Sequence, residues 1–213
     1  GILYVLNQLE DDGHVYYPYE SLVEKCQEVL EVERNIIINA FSTITVDNRI
    51  VIEDLNESID EFKENNKAVY LAKFHLCETS IAKRLKTLVN APKSIRKIDS
   101  DKAIEWVQKK LDITLAKNQV GAIRCAVEKK VMVITGGPGT GKTTIINAIL
   151  KIFSKLKVRI LLAAPTGRAA KRMSETTGHV AKTIHRMLEY SIQKGGFQKN
   201  DEKPLNCDLL ILD

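Results

Sequence analysis

The sequence predicts an α/β fold in which helices flank a parallel sheet, preceded by a small α+β domain. Three short apolar runs in the second half, residues 131–134, 159–164 and 209–212, have the length and apolar character of buried strands. A glycine cluster ends the first run, and helical patterns follow the first two runs. This alternation is the strand–helix–strand order of a parallel sheet.

The composition is that of a globular protein, with 44% hydrophobic and 28% charged residues. No apolar run approaches the roughly 20 residues that cross a bilayer, so we expect no membrane partner. The chain begins with Gly1, so its start says nothing about a signal peptide. The four cysteines lie far apart and form no Cys-x-x-Cys pair, which predicts reduced thiols and a cytoplasmic location.

The first hundred residues predict a small domain of mixed helices and strands. A helical spacing covers residues 19–32. Two β-rich runs, residues 42–46 and 49–53, lie on either side of Asp47 and Asn48 and predict a hairpin. Residues 69–71 predict another short strand.

A second N-terminal helix is predicted over residues 74–89. Its candidate core positions are Leu76, Ile81, Leu85, Leu88 and Val89. Helices followed by a hairpin allow a winged-helix-like module, and a packing or interaction domain with a protein partner fits as well. Because Asn-Ala-Pro-Lys-Ser at 90–94 breaks the helical pattern, we expect an N-terminal domain over residues 1–98 and a second domain over 99–213.

The glycine cluster after the first run matches G-x-x-x-x-G-K-[ST] from Gly136 to Thr143. Glycines let backbone N–H groups approach phosphate oxygens, and the N-terminus of the following helix adds partial positive charge. Lys142 is expected to reach the β- and γ-phosphates of a nucleotide, and the hydroxyl of Thr143 to bind Mg²⁺. The sequence therefore predicts a P-loop site for ATP and Mg²⁺.

Gln119 lies upstream of this loop, at the start of a helical pattern. A primary amide both donates and accepts hydrogen bonds, so it can pair with N6 and N7 of adenine. A surface glutamine is the alternative, and the P-loop downstream favours adenine recognition.

A basic edge is predicted after the second strand. Thr166 is a plausible N-cap of a helix over residues 168–175, in which Arg168, Lys171 and Arg172 share one side. Residues 129–213 carry a net charge of +9, whereas residues 1–128 carry −4. In an open α/β sheet the loops at the carboxyl ends of strands bind ligands, so this edge could contact a nucleic-acid backbone. A solvated lysine surface is the alternative.

The third strand, residues 209–212, ends at Asp213. A carboxylate at the tip of a buried strand is the expected Walker B position, which holds Mg²⁺. A structural aspartate is the alternative, and Lys142 and Thr143 favour the metal role.

Together these stretches resemble the first motor domain of superfamily 1 DNA helicases of the RecD/TraA type, which is RecA-like. The specific part is Ala-Pro-Thr-Gly-Arg-Ala-Ala at 164–170, followed by Thr-Ile-His-Arg at 183–186. The resemblance is close over residues 115–213 and fainter upstream, at residues 15–22 and 68–71.

The resemblance implies ATP-driven 5′-to-3′ translocation on single-stranded DNA, with Lys142 and Asp213 as catalytic residues and Thr143 and Asp213 on Mg²⁺. It implies nucleotide contacts from Gln119, Gly137, Pro138, Gly139, Thr140, Gly141, Lys142, Thr143 and Thr144. It implies DNA contacts from Pro165, Thr166, Gly167 and Arg168, joined by Lys171, Arg172, Thr183 and His185. It leaves the pathway open among repair, recombination and conjugation.

The chain departs from the family where it stops. The family's Walker B pattern continues with a glutamate that activates water, and a second motor domain supplies an arginine finger; neither is present in the sequence. We therefore expect a fragment that binds ATP–Mg²⁺ at most. The alternative is another P-loop NTPase with an N-terminal protein- or nucleic-acid-binding module, and the basic run at 168–172 disfavours it.

Overall fold

The computed structural model describes residues 1–58 and 63–213. The chain divides into two compact units, residues 1–87 and 88–213. No helix among these described residues is both long and apolar enough to cross a membrane.

The first unit has a three-stranded antiparallel sheet in the order β1-β3-β2, with helices packed against it. Its elements are α1 (Ile2–Asp11), β1 (Tyr16–Pro18), α2 (Tyr19–Leu30), α3 (Arg34–Val46), β2 (Ile50–Asp54), a 3₁₀ turn (Leu55–Ser58), β3 (Lys67–Leu71) and α4 (Ala72–Asn90), which runs on past residue 87. The order helix, strand, two helices, two strands is that of a winged helix, and the predicted α+β character is confirmed.

The predicted hairpin over residues 42–53 is wrong, because residues 42–46 complete helix α3. Ile37, Phe41 and Ile44 recur at helical spacing and face the core, so burial overrides the β-propensity of the Thr and Val side chains. Asn48 adopts a positive φ of 53° beyond the helix end. β2 then pairs with β3, with Ile50 opposite Leu71.

The predicted core side of helix α4 is also wrong. Leu76, Ile81, Leu85, Leu88 and Val89 are all exposed, and α4 buries none of its residues. Helical spacing predicts which side chains share a face, but it does not supply a surface to bury that face.

The second unit contains a parallel sheet, as predicted, and its strands lie in the order β5-β4-β8. Its elements are α5 (Ser100–Leu111), α6 (Lys117–Glu128), α7 (Lys142–Ser154), β4 (Ile160–Ala164), α8 (Gly167–Thr177), β5 (Ala181–Thr183), α9 (Ile184–Met187), β6 (Tyr190–Ser191), β7 (Gly196–Phe197) and β8 (Leu209–Leu212).

Helix α7 packs on one face of this sheet. Ile145, Ile149 and Phe153 lie in a core that reaches Ile160 and Ile211, and Leu150 contacts Leu162. Alternate residues of a strand point to opposite faces, and on the other face Leu210 and Leu212 of β8 are exposed. The sheet is thus covered by α7 on one side and remains open along β8 on the other.

The strand predicted at residues 131–134 does not form. Its side chains alternate as in a strand, because Met132 and Ile134 pack into the core while Val133 is 82% exposed. Its backbone, however, makes no ladder with β8, which is an edge of the sheet within the described residues. Alternating burial alone therefore does not make a strand without a hydrogen-bonded neighbour.

The difference in burial between two leucines of the first unit predicts that their replacement by alanine lowers the free energy of unfolding by different amounts. Leu22→Ala removes a side chain that is 0% exposed and is expected to lower the free energy of unfolding by about 2–5 kcal/mol. Leu85→Ala removes a side chain that is 44% exposed and is expected to cost about 0.5 kcal/mol or less. Urea denaturation followed by circular dichroism measures both. An equal loss of stability in the two variants would show that α4 is buried.

Candidate nucleotide-binding site

The P-loop bends sharply before helix α7. Gly139 and Gly141 have φ values of +76° and +86°, which L-residues with side chains rarely adopt. Gly141 is the N-cap of α7, so the helix begins at Lys142. The first turn of α7 therefore presents free backbone N–H groups and the positive end of the helix dipole next to the loop.

Lys142 folds back over this loop. Its Nζ atom donates hydrogen bonds to the carbonyl oxygens of Gly136 at 2.5 Å and Gly137 at 2.6 Å. Thr140 Oγ1 donates to the same Gly137 carbonyl at 2.9 Å. The ammonium thus lies against the loop that a phosphate would occupy, where phosphate oxygens could replace the carbonyls as its acceptors.

The structure brings Gln119 into contact with the P-loop. Its Nε2 donates to the carbonyl of Thr140 at 3.3 Å, and its Oε1 accepts from the backbone N–H of Ala116 at 3.0 Å. A Cβ on Gly141 would lie 2.3 Å from Gln119 Nε2. A side chain at position 141 would therefore push the Gln119 amide aside, and the positive φ of Gly141 also favours glycine there. Its proposed contact with adenine stays a prediction.

Asp213 lies at the carboxyl edge of the sheet. Leu212 pairs with Ala163, and the backbone N–H of Asp213 donates to the carbonyl of Ala163 at 2.9 Å. β4 ends one residue further on, just before Pro165. The side chain of Asp213 is exposed at this edge.

A magnesium ion would find one hydroxyl and one carboxylate among the predicted ligands, Thr143 and Asp213. The described residues contain no cluster of three or more His, Cys, Asp or Glu side chains that could hold a metal alone. Mg²⁺ in nucleotide sites keeps several waters and binds substrate phosphates, so a sparse oxygen donor set fits it. The metal role of both residues stays a prediction.

The basic edge is exposed. Thr166 caps α8, since its Oγ1 accepts a hydrogen bond from the backbone N–H of Ala169 at 3.2 Å. Ala170 and Met173 turn inward, which leaves Arg168, Lys171 and Arg172 in solvent. Lys171 Nζ lies 3.9 Å from Glu175, and this surface pair is weak. The predicted cap is observed, and the three cations are available to an anionic ligand.

Thr183 and His185 lie at the same carboxyl edge, because Thr183 ends β5 opposite Ala164. The hydroxyl of Thr183 accepts from the backbone N–H of Arg186 at 3.2 Å and caps α9. The centre of the His185 ring lies 5.4 Å from the centre of the Tyr190 ring and 5.5 Å from that of the Phe197 ring. Thr183 thus has a structural role already, and the DNA role of both residues stays a prediction.

This aromatic cluster was not predicted from the sequence. β6 and β7 pair as an antiparallel hairpin with Tyr190 opposite Phe197. Gly195 and Gly196 both have positive φ in the turn. A Gly-Gly pair between aromatic residues was the available signal.

Comparison with known proteins shows similarity in sequence. Residues 119–213 match the AAA domain family, and this match begins at Gln119 and covers the P-loop. A P-loop domain of this family implies nucleotide binding.

Relatives in sequence include a DNA helicase and subunits of the RecBCD enzyme. The chain is 37% identical to the ATP-dependent RecD2 DNA helicase of Deinococcus radiodurans over 146 residues, 68% of this chain and 20% of that protein. It is 31% identical to the RecBCD enzyme subunit RecD of Haemophilus influenzae, over 43% of this chain and 18% of the subunit. It is 30% identical to RecD of Buchnera aphidicola (subsp. Acyrthosiphon pisum), over 70% of this chain and 27% of that subunit. The predicted resemblance is confirmed, and the chain spans about a fifth to a quarter of the length of these relatives.

Proposed function

We propose that this chain, a relative of the RecD-like helicases, forms the ATP-binding part of an ATP-dependent DNA helicase. The longer protein would couple ATP hydrolysis to 5′-to-3′ movement on single-stranded DNA and to duplex unwinding. The loop of Gly136–Gly141 bent around the Lys142 ammonium at the start of α7 carries the ATP-binding part of this proposal. The sequence similarity to the RecD2 DNA helicase supports the helicase part. The chain by itself is proposed to bind ATP–Mg²⁺, and its cytoplasmic location stays a prediction.

The site would act by positioning and electrostatics, which supply most of the catalysis in phosphoryl transfer. Backbone N–H groups of the loop and of the first turn of α7 would hold the phosphates. Lys142 would exchange the carbonyls of Gly136 and Gly137 for phosphate oxygens. Thr143 and Asp213 would hold Mg²⁺, which when bound neutralises charge on the phosphates. Gln119, already in contact with the loop, would pair with adenine.

The DNA strand is proposed to run along the carboxyl edge of the sheet. The exposed cations of α8 lie beside the loop 165–167 on this edge, and phosphate contacts from arginine and lysine give affinity without base readout. Thr166 fixes the start of α8 and thereby the direction in which these cations project. Thr183 and His185 would lie further along the same edge.

The N-terminal unit is proposed to bind a protein rather than DNA. Residues 1–87 contain 16 acidic and 9 basic residues, a net charge of −7. A winged-helix unit that grips duplex DNA needs a positive surface, because phosphate neutralisation supplies most of non-specific affinity. A surplus of carboxylates opposes such binding.

Replacing Lys142 tests the nucleotide site. Lys142→Ala should weaken binding of ATP–Mg²⁺ by about 10- to 150-fold, because hydrogen bonds to a charged partner contribute about 1.5–3 kcal/mol. Lys151→Ala removes an exposed lysine from the other end of the same helix and should change binding less than twofold. Isothermal titration calorimetry measures both. Unaltered affinity in Lys142→Ala would place the nucleotide elsewhere.

Replacing the cations of α8 tests the DNA edge in the longer protein. Arg168→Ala with Lys171→Ala should weaken binding of single-stranded DNA and reduce the slope of log affinity against log salt by about 0.7 for each phosphate that the variant no longer neutralises. Lys129→Ala, an exposed lysine outside this edge, is the matched control. Binding titrations over a range of salt concentrations give the slope. A slope that the double variant leaves unchanged would exclude α8 from the DNA-binding surface.

A further inference from the structure

A groove of about 430 Å³ opens on the second unit, away from the P-loop. Its walls are the segment before α5, the first half of α5 and the C-terminal end of α7. The nucleotide and DNA roles proposed above use none of its residues. The groove is therefore separate from the nucleotide and DNA sites proposed above.

The rim of the groove is positively charged. Its cations are Arg96, Lys97, Lys102 and Lys155, and its one carboxylate is Asp99. Asp99 is already engaged, because it caps α5 through the backbone N–H of Lys102 at 3.1 Å and lies 3.5 Å from Lys102 Nζ. The rim thus has a surplus of three positive charges. Within the described parts of the chain, no carboxylate lies within 4.0 Å of the charged groups of Arg96, Lys97 or Lys155.

The floor of the groove is apolar. Its apolar lining includes the half-buried Trp106 together with Ile98 and Leu156. The ammonium of Lys155 lies 5.4 Å from the centre of the Trp106 ring, a cation–π contact. A ligand here meets aliphatic side chains and a ring that already has a cation over one face.

The groove and the P-loop lie at opposite ends of α7. Lys142 begins the helix and Lys155 follows its last residue, which corresponds to about 20 Å at 1.5 Å per residue. The start of α7 is at the carboxyl edge of the sheet, where ligands of open α/β sheets bind. A ligand in the groove would therefore leave the nucleotide loop and the α8 cations free.

We propose that this groove binds an acidic peptide segment of a partner protein, with an apolar side chain of the peptide seated beside Trp106. The charge surplus of the rim complements carboxylates, and the floor complements an aliphatic side chain. Single-stranded nucleic acid fits less well, because base stacking needs open aromatic faces and Lys155 covers one face of the only aromatic ring in the described lining.

The chain contains one tryptophan, so its fluorescence reports on the groove directly. The probe is a synthetic peptide of aspartates and glutamates around a central Leu-Leu pair, added to the full chain. We expect a saturable blue shift of the Trp106 emission as the apolar pair excludes water from the ring. The same peptide with lysines in place of its acidic residues should cause no shift. A chain whose emission does not respond to the acidic peptide would overturn the proposal.

Charge reversal locates the binding. Arg96→Glu and Lys155→Glu change exposed side chains and should each raise the dissociation constant of the acidic peptide about tenfold. Lys129→Glu makes the same charge change outside the groove and should alter the dissociation constant of the acidic peptide less than twofold. Equal weakening by Lys129→Glu would mean that only net charge matters and would refute the site. Oligothymidylate is the competitor that tests the choice of ligand. If it displaced the peptide from the wild-type chain and itself shifted the Trp106 emission, the groove would bind nucleic acid and the peptide proposal would be refuted.

Discussion

The candidate nucleotide site depends on one local constraint, the sharp turn of the P-loop that brings the ammonium of Lys142 to the carbonyls of Gly136 and Gly137. A lysine at the first position of a helix can reach back to these oxygens only if the loop turns sharply before it. Gly141 makes that turn in a conformation that other residues rarely adopt, and it also leaves room for Gln119. The turn at Gly141 therefore precedes the start of α7 directly and lies against Gln119.

The two ends of helix α7 present different chemical groups to solvent. Its N-terminus carries the helix dipole and Lys142, which suit phosphate, and its side packs on the sheet. Its C-terminus carries Lys155 over Trp106, where a basic rim surrounds an apolar floor. The N-terminal end offers backbone N–H groups, whereas the groove at the C-terminal end offers long flexible cations around aliphatic side chains. We therefore propose different anionic ligands for the two ends, a triphosphate at the first and an acidic peptide at the second.

Local signals in the sequence predicted the parts of the site that depend on neighbouring residues. The P-loop glycines, the start of α7 and the cap by Thr166 each follow from side chains only a few positions apart. Predictions that required a distant partner were less successful. Residues 131–134 alternate like a strand yet lack a pairing neighbour, and α4 has an apolar side without a surface to cover it. The helical spacing of Ile37 and Phe41 was visible in the sequence, but the β-branched run after them favoured a hairpin.

The decisive experiment is a structure of the chain with Mg²⁺ and a non-hydrolysable ATP analogue. We expect Lys142 Nζ to leave the carbonyls of Gly136 and Gly137 and to lie about 3 Å from an oxygen of the β- or γ-phosphate. We also expect the triphosphate to contact backbone N–H groups at the start of α7. An analogue bound elsewhere, or Lys142 still bonded to both carbonyls in the presence of bound nucleotide, would show that this loop does not hold the triphosphate.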